Sequence, residues 1–163
     1  MSELKFISIN NDNNIIAKEL LAEYGNYLLD ELKLADGNSY FFKTLERFPD
    51  KNYSPPNGDF FIVYDEDKPI GCVGIKKFDD SSCELKRMFI KEEFRGKGFA
   101  KIVIQFILDQ AKLLGYQNIL LDTNVEMPAA ISAYLKAGFV EIPPYFETEH
   151  PNPVFFAYNL NNV

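Results

Sequence analysis

The sequence predicts an α/β fold in which a mixed, mostly antiparallel and twisted sheet of about seven strands carries helices on both faces. Segments of alternating or continuous apolar residues, typical of strands, are interspersed with segments whose apolar residues recur at helical spacing. Short turns between successive strands occur together with strand–helix–strand units, and a sheet of mixed direction accommodates both. The length of 163 residues corresponds to about one domain, which we expect to span residues 1–163.

Seven segments are predicted as strands. They run from Leu4 to Ile9, Asp59 to Tyr64, Pro69 to Phe78, Glu84 to Ile90, Gln117 to Asp122, Phe139 to Ile142 and Val154 to Leu160. The segments Asp65 to Lys68 and Asp79 to Ser82 are rich in turn-forming residues. They therefore join the second, third and fourth strands as hairpins.

Four segments are predicted as helices. They run from Asn13 to Leu34, Ser39 to Phe48, Phe99 to Leu114 and Pro128 to Ala137. Asp12 or Asn13 can cap the first helix, while Gly115 and Gly138 stand just beyond the ends of the third and fourth. The stretch from Pro49 to Gly58 contains three prolines and is predicted as a loop.

The composition excludes several classes of protein. Acidic residues outnumber basic ones by 24 to 17, and the net charge of −7 argues against nucleic-acid and membrane partners. No apolar run approaches the ~18 residues that a transmembrane helix needs. The first residues lack the basic and apolar regions of a secretory signal, so we expect a cytoplasmic protein. Two cysteines, Cys72 and Cys83, are too few for a disulfide framework or a zinc site, and we expect both to be buried.

Positive charge is concentrated in one segment of this acidic chain. Residues Lys86 to Lys101 contain six bases and two acids, a net charge of +4, which leaves −11 for the other residues. A solvated charged loop would explain this pattern, and so would a site for a small anion. A polyanionic partner is disfavoured because the rest of the protein is acidic.

Within this segment a strand is followed by a short loop with two glycines and then by a long helix. The loop and the helix start read Arg95-Gly96-Lys97-Gly98-Phe99-Ala100. Such a turn directs successive N–H groups into one concavity, and the helix N-terminus adds unpaired N–H groups and a partial positive charge. Glycine is needed because a side chain would block the phosphates or forbid the φ angle. A P-loop and a dinucleotide-binding turn both require residues that are absent after Gly98.

The same six residues resemble the acyl-coenzyme A signature Arg/Gln-x-x-Gly-x-Gly/Ala of the GCN5-related N-acetyltransferases, the GNAT family. A second stretch, Ala130 to Phe139, is similar to the family's Ala-x-x-x-Tyr-x-x-x-Gly-Phe helix, and the spacing between the two stretches also fits. The order of elements from residue 4 to 160 resembles the whole GNAT fold. Further similarity, at residues 53–58, 121–123 and 142–145, resembles a bacterial subgroup whose substrates are mostly unassigned.

The resemblance implies a reaction and a cofactor site. The reaction is transfer of an acetyl group from acetyl-CoA to an amine of a small molecule or peptide, by direct attack in a ternary complex. The implied cofactor-binding residues are Met88, Phe89, Ile90, Arg95, Gly96, Lys97, Gly98, Phe99, Ala100 and Lys101, with Asn124 as a further candidate. A backbone N–H group at Met88 or Phe89 would stabilise the tetrahedral oxyanion.

Two residues are candidates for proton transfer. Tyr134 stands where the family commonly has a general acid for the leaving thiolate, although packing between helix and sheet would also explain it. Glu84 could deprotonate or anchor the acceptor amine. If Glu84 faces the site, alternation along the strand predicts that Lys86, Met88 and Ile90 do too. The alternative is a solvent-facing Glu84 paired with a neighbouring base.

Other positions are less specific. Met127 stands where the family often has asparagine, and Asn124 could replace part of the cofactor contact that methionine cannot make. Four aromatic residues lie in segments that form the acceptor side in the family: Tyr27, Tyr53, Tyr145 and Phe146. Two interpretations stay open, a pocket for an apolar or aromatic amine and ordinary packing in the core and loops. The single histidine, His150, is expected at the surface rather than as a base.

Three functions stay open at the level of sequence. The first is N-acetyl transfer, the second is transfer of a longer acyl group, and the third is non-catalytic binding or sensing of acyl-CoA on the same fold. Members of the family often dimerise, so a homodimer is one option for this protein.

Overall fold

A computed structural model describes residues 3–32, 48, 50–148 and 152–161 of the chain. The predicted fold class is confirmed: within these residues, one sheet contains seven strands in the order β1-β2-β3-β4-β5-β7-β6. The strands are β1 (Leu4–Ser8), β2 (Asp59–Asp65), β3 (Lys68–Lys77), β4 (Ser82–Ile90), β5 (Asn118–Asn124), β6 (Val140–Ile142) and β7 (Pro153–Asn159). All neighbouring strands are antiparallel except β4 and β5, which are parallel.

Three α-helices lie within the described residues. They are α1 (Asn14–Leu32), α2 (Phe99–Leu113) and α3 (Pro128–Ala137), and short 3₁₀ turns occupy Lys51–Tyr53 and Glu92–Phe94. Gly115 and Gly138 have φ angles of +92° and +107°, so each helix end uses the left-handed conformation that its glycine predicts. Of the helix predicted over Ser39 to Phe48, only Phe48 belongs to the described residues.

Two apolar layers cover opposite faces of the sheet. On the α1 face, a cluster of buried residues includes Leu20, Leu21, Phe60, Ile62 and Cys72. On the α2 face, a larger cluster includes Phe61, Val63, Ile75, Leu85 and Ile107. Along β2 the side chains alternate strictly between the two clusters, as a strand buried on both faces requires.

Two glycines of β3 allow other groups to approach its backbone closely. A Cβ atom at Gly71 would lie 2.2 Å from the carbonyl oxygen of Phe89, and one at Gly74 would lie 2.8 Å from the Tyr53 ring. Gly71 pairs with Ile90 and therefore sets how closely β3 approaches the end of β4. Glycine at position 71 thus allows the close approach of β4, and glycine at position 74 leaves room for the Tyr53 ring.

We expect Gly71→Ala to lower the free energy of unfolding by about 3 kcal/mol, because the new methyl group must displace the backbone of β4. Gly115→Ala is the control. It introduces a methyl group that meets no atom within 4 Å but keeps a positive φ, which costs roughly 1 kcal/mol. Urea denaturation of both variants provides the measurement, and equal losses would contradict the role of Gly71.

Candidate functional site

The candidate site begins where β4 and β5 separate. The two strands pair only at Ser82 with Asn118, at Cys83 with Ile119 and at Glu84 with Leu120. Beyond that point β4 stays paired with β3 at Leu85, Lys86, Phe89 and Ile90 but is no longer paired with β5. Backbone N–H and C=O groups at such a strand edge can bind an extended ligand. The structure therefore presents a wedge between two strands, next to the start of α2.

A β-bulge lies in the separated part of β4. Cys72 pairs with Phe89 and Gly74 pairs with Lys86, so one residue of β3 faces two residues of β4. One of these two, Arg87, has a φ angle of +54°, which is uncommon for a residue other than glycine. A bulge of this kind changes which face of the sheet the following side chains occupy.

The bulge shows that part of the predicted alternation is wrong. Met88 and Ile90 pack against the cluster on the α2 face, together with Leu85. Phe89 belongs to the cluster on the α1 face. Without the bulge, Met88 and Ile90 would share a face with Glu84; the extra residue moves them to the opposite side. Only Lys86 stays beside Glu84, as predicted.

The glycine loop has the backbone that its sequence predicts. Gly96 and Gly98 have φ angles of +77° and +82°, and Gly98 precedes α2 without a side-chain cap for its N-terminal N–H groups. A Cβ atom built on either glycine would meet no protein atom within 4 Å. The side chain of Phe99 is buried in the core. The loop therefore offers open space and backbone amides rather than side chains.

The three bases around this loop differ in their surroundings. Arg95 Nε donates a hydrogen bond to the Ile90 carbonyl oxygen over 2.8 Å, and its guanidinium lies 4.3 Å from the centroid of the Tyr27 ring. Arg95 therefore ties the loop to β4 and α1. In the part of the chain that the structure describes, Lys97 and Lys101 form no ion pair. Their charges remain available to an anion.

Glu84 lies in a polar cluster on the α1 side of the sheet. The Tyr145 hydroxyl donates to Glu84 Oε2 over 2.9 Å, and Lys86 Nζ lies 3.3 Å from the same oxygen. Lys86 Nζ also lies 3.1 Å from Asp122 Oδ1 on β5. Glu84 is thus paired with Lys86, as one alternative predicts, but it is buried rather than facing solvent.

Tyr134 is buried, and its ring packs against Phe139 and Phe156. Burial raises the pKa of this phenol, and nearby Tyr24 and Asp122 raise it further. The phenol is therefore protonated at neutral pH, and it is a weaker acid than an exposed tyrosine. The packing that one alternative predicts for Tyr134 is thus present, and its role as a general acid stays a prediction.

Sequence reasoning missed two residues of this region. Tyr24 of α1 stacks on Phe89 with centroids 5.2 Å apart, and burial raises its pKa to about 12, with further raising effects from Cys72 and Asp122. Asp122 of β5 binds Lys86. No sequence signal singled out Asp122, because its contact with Lys86 depends on the parallel register, in which both residues lie two positions beyond the last pair.

The four predicted acceptor-side aromatics occupy two places. Tyr145 and Phe146 pack edge-to-face on each other, and Tyr145 also contacts Phe78 and Phe155 near Glu84. By contrast, Tyr27 and Tyr53 pack in the α1-face cluster. The structure thus brings two of the four to the carboxylate, and it adds Phe78.

The side-chain oxygen of Asn124 takes part in the turn before α3. This oxygen accepts a hydrogen bond from the Glu126 N–H over 3.0 Å, and the residue is buried. Met127 precedes α3 without a side-chain capping bond. Asn124 therefore stabilises the turn that Met127 cannot cap, and contact with a cofactor stays a prediction.

Other expectations concern groups outside this cluster. Cys72 and Cys83 are buried and unbonded to each other, as expected. His150 lies outside the described residues. Across the described ranges, no group of three or more metal-ligating side chains is assembled, and no helix has the length and hydrophobicity needed to cross a bilayer.

Comparison with known proteins relates the chain to acetyltransferases. The model of the acetyltransferase (GNAT) family matches residues 18–139. An uncharacterised N-acetyltransferase of Schizosaccharomyces pombe is 30% identical over 115 residues, which cover 69% of this chain and 71% of that protein. The uncharacterised N-acetyltransferase YjgM of Escherichia coli is 32% identical over 93 residues, 55% of this chain and 56% of that protein. Relatives in both eukaryotes and bacteria do not single out a bacterial subgroup.

Solved structures share the fold over nearly the whole chain. A GNAT-family acetyltransferase from Staphylococcus aureus superposes with a TM-score of 0.76 at 22% identity, covering 97% of this chain and 99% of that one. Spermidine N-acetyltransferase from Vibrio cholerae, in complex with CoA and spermine, gives a TM-score of 0.69 at 22% identity, with 96% and 95% covered. At these identities the likeness concerns the fold alone.

We expect the free energy of unfolding to fall as the pH rises from about 8 to 11. Burial raises the pKa of the Cys72 and Cys83 thiols to about 12, whereas thiols of the unfolded chain lose protons near ~8.5. The stabilisation is therefore complete below pH ~8.5 and is lost as the pH approaches 12. Urea denaturation across this range measures the slope. The Cys72→Ala/Cys83→Ala variant should show a shallower slope, and an unchanged slope would count against this cause.

Proposed function

We propose that this protein, which belongs to the GNAT family of acetyltransferases, moves an acetyl group from acetyl-CoA to an amine of a small molecule or peptide. The observation that carries the proposal is the wedge between β4 and β5 beside the uncapped start of α2. The wedge can receive the extended thioester arm of acetyl-CoA, and the start of α2 can receive the phosphates of the same molecule. A single domain of residues 1–163 and a cytoplasmic location belong to the same proposal.

The residues around the wedge fit acetyl-CoA. The backbone amides from Gly96 to Lys101 would hold the pyrophosphate, since both glycines leave open space and α2 has no side-chain cap. Lys97 and Lys101 would add charge. Met88, Phe89 and Ile90 would line the pantetheine arm along β4, and a backbone N–H group of Met88 or Phe89 would stabilise the developing oxyanion. When bound, acetyl-CoA supplies the acetyl group in activated form, as a thioester.

Two side chains would move protons in this mechanism. A primary amine with a pKa of ~10.4 is almost fully protonated at pH 7, and its deprotonation costs about 4–5 kcal/mol. Glu84, at the last paired position of β4, would accept that proton. Tyr134 would protonate the departing thiolate: burial keeps its phenol protonated but also makes it a weaker acid, so the transfer depends on close positioning. Direct attack in a ternary complex requires only that these groups be held in place.

The acceptor class is proposed from the surroundings of Glu84. Tyr145, Phe146 and the partly exposed Phe78 place aromatic rings beside the carboxylate. These rings favour a substrate whose amine is attached to an apolar or aromatic group. The acidic character of the rest of the chain favours a cationic amine over an anionic acceptor. The alternative function, non-catalytic binding of acyl-CoA, would use the same wedge and glycine loop but would give Glu84 and Tyr134 no role in proton transfer.

The experiment that tests the function is a thiol-release assay with acetyl-CoA and a defined amine panel. The panel contains spermidine, 2-phenylethylamine, free amino acids and short peptides with an unblocked N-terminus. We expect release with at least one amine. Binding of acetyl-CoA without thiol release from any of them would favour the non-catalytic alternative.

Gly98→Glu is expected to abolish acetyl-CoA binding, because a carboxylate and a β-carbon would enter the space in front of the first-turn amides of α2. The matched control is Gly115→Glu at the other end of α2, where φ is also positive and the space is also open. Isothermal titration calorimetry should show wild-type affinity for the control. Tight binding by Gly98→Glu would refute the phosphate site.

Tyr134→Phe is expected to lower kcat about 10- to 1000-fold with little change in acetyl-CoA affinity, because it removes the proton donor and keeps the ring. Tyr64→Phe serves as a control, since Tyr64 packs in the α1-face cluster outside the wedge. The thiol-release assay measures both variants. A wild-type rate in Tyr134→Phe would leave the residue with a packing role only.

A further inference from the structure

Lys86 connects the two strands at the level where they separate. Glu84 and Leu120 form the last paired position of β4 and β5, and Lys86 and Asp122 each lie two residues farther along. Their ion pair, with 3.1 Å between Nζ and Oδ1, spans the wedge. Among residues 3–32, 48, 50–148 and 152–161, no other ion pair joins these strands. The ion pair therefore links strand segments that are not paired with each other.

The same ammonium group holds the carboxylate of Glu84. Lys86 Nζ and the Tyr145 hydroxyl both contact Oε2, at 3.3 Å and 2.9 Å. The hydrogen bond from Tyr145 and the ion pair with Lys86 thus both use Oε2 rather than Oε1. One oxygen of Glu84 is thus fixed, and the other is left to accept a proton from a ligand.

Lys86 is not itself a competing acceptor amine. Burial lowers its pKa, but Asp122, Glu84 and Tyr53 raise it by more, so the pKa lies above its ordinary value. The group is therefore an ammonium ion at neutral pH, without the electron pair that acyl transfer requires. The Phe146 ring, with its centroid 5.7 Å from Nζ, further encloses the charge.

We propose that Lys86 is a positioning residue for acetyl transfer, which it serves by holding β5 through Asp122 and by orienting Glu84 Oε1 toward the acceptor. This inference rests on the proposed role of Glu84 as the base. In the proton step, an N–H bond of the acceptor ammonium breaks and an O–H bond forms on Oε1. The nitrogen keeps the electron pair for attack.

Lys86→Met tests the proposal, because methionine has a similar length and no charge. With the amine of the panel that the wild type uses fastest, kcat should fall about 10- to 100-fold, as expected for misplacement of a reacting group. KM for the amine should change less than kcat. Lys86→Arg should recover most of the loss, because a guanidinium can bind both carboxylates.

The matched control is Lys77→Met at the end of β3, which removes an exposed ion pair with Asp80 in the turn between β3 and β4. This variant should keep kcat within about twofold of the wild type, since exposed pairs contribute little. A wild-type kcat in Lys86→Met, or no recovery in Lys86→Arg, would overturn the proposal.

A second measurement needs no acceptor. Lys86→Met and Asp122→Asn should each weaken acetyl-CoA binding about two- to tenfold. The double variant should bind no more weakly than the more affected of the two single variants, because both substitutions break the same ion pair between β4 and β5. Additive losses would overturn the strand link. Glu84→Gln distinguishes failure of the base role of Glu84 from failure of the positioning role of Lys86. Full activity in Glu84→Gln would refute Glu84 as the base. An inactive Glu84→Gln together with wild-type activity in Lys86→Met would refute only the role of Lys86.

Discussion

The site depends on one constraint, which is that β4 keeps its pairing with β3 while it leaves β5 after Glu84. Buried backbone groups must find hydrogen-bond partners, so strands rarely separate inside a sheet without a reason. Here the separation creates a wedge in the middle of a seven-stranded sheet rather than at its edge. The core on both faces stays intact around it. A rigid scaffold thus surrounds the opening where a ligand can add to β4.

The bulge at Arg87 organises the chemistry along β4. A left-handed residue other than glycine costs roughly 1–2 kcal/mol, and the close approach of β3 through Gly71 accompanies it. The bulge places the side chains of β4 before and after it on the two faces of the sheet in different phase. Glu84 and Lys86 are held in the polar cluster by Tyr145 and Asp122, whereas the residues after the bulge alternate with the opposite phase.

The basic segment of this acidic chain serves more than one purpose. Only Lys97 and Lys101 remain unpaired beside the glycine loop within the described residues. Arg95 is used to attach the loop to β4 and α1, and Lys86 lies among carboxylates. Counting charges along the chain therefore overstated how many bases of this segment are left for an anion, because Arg95 and Lys86 have protein partners.

Sequence alone determined the strands and helices that the described residues contain, the family, and the left-handed glycines of the loop, because periodicity and backbone conformation are local properties. Tertiary structure decided the rest of the site. The partners Glu84 and Tyr145 are 61 residues apart and Lys86 and Asp122 are 36 apart. Such contacts depend on sheet register, and a single inserted residue in β4 reverses which side chains share a face. No local pattern encodes that reversal, because the bulge exists only in relation to the strand that it pairs with.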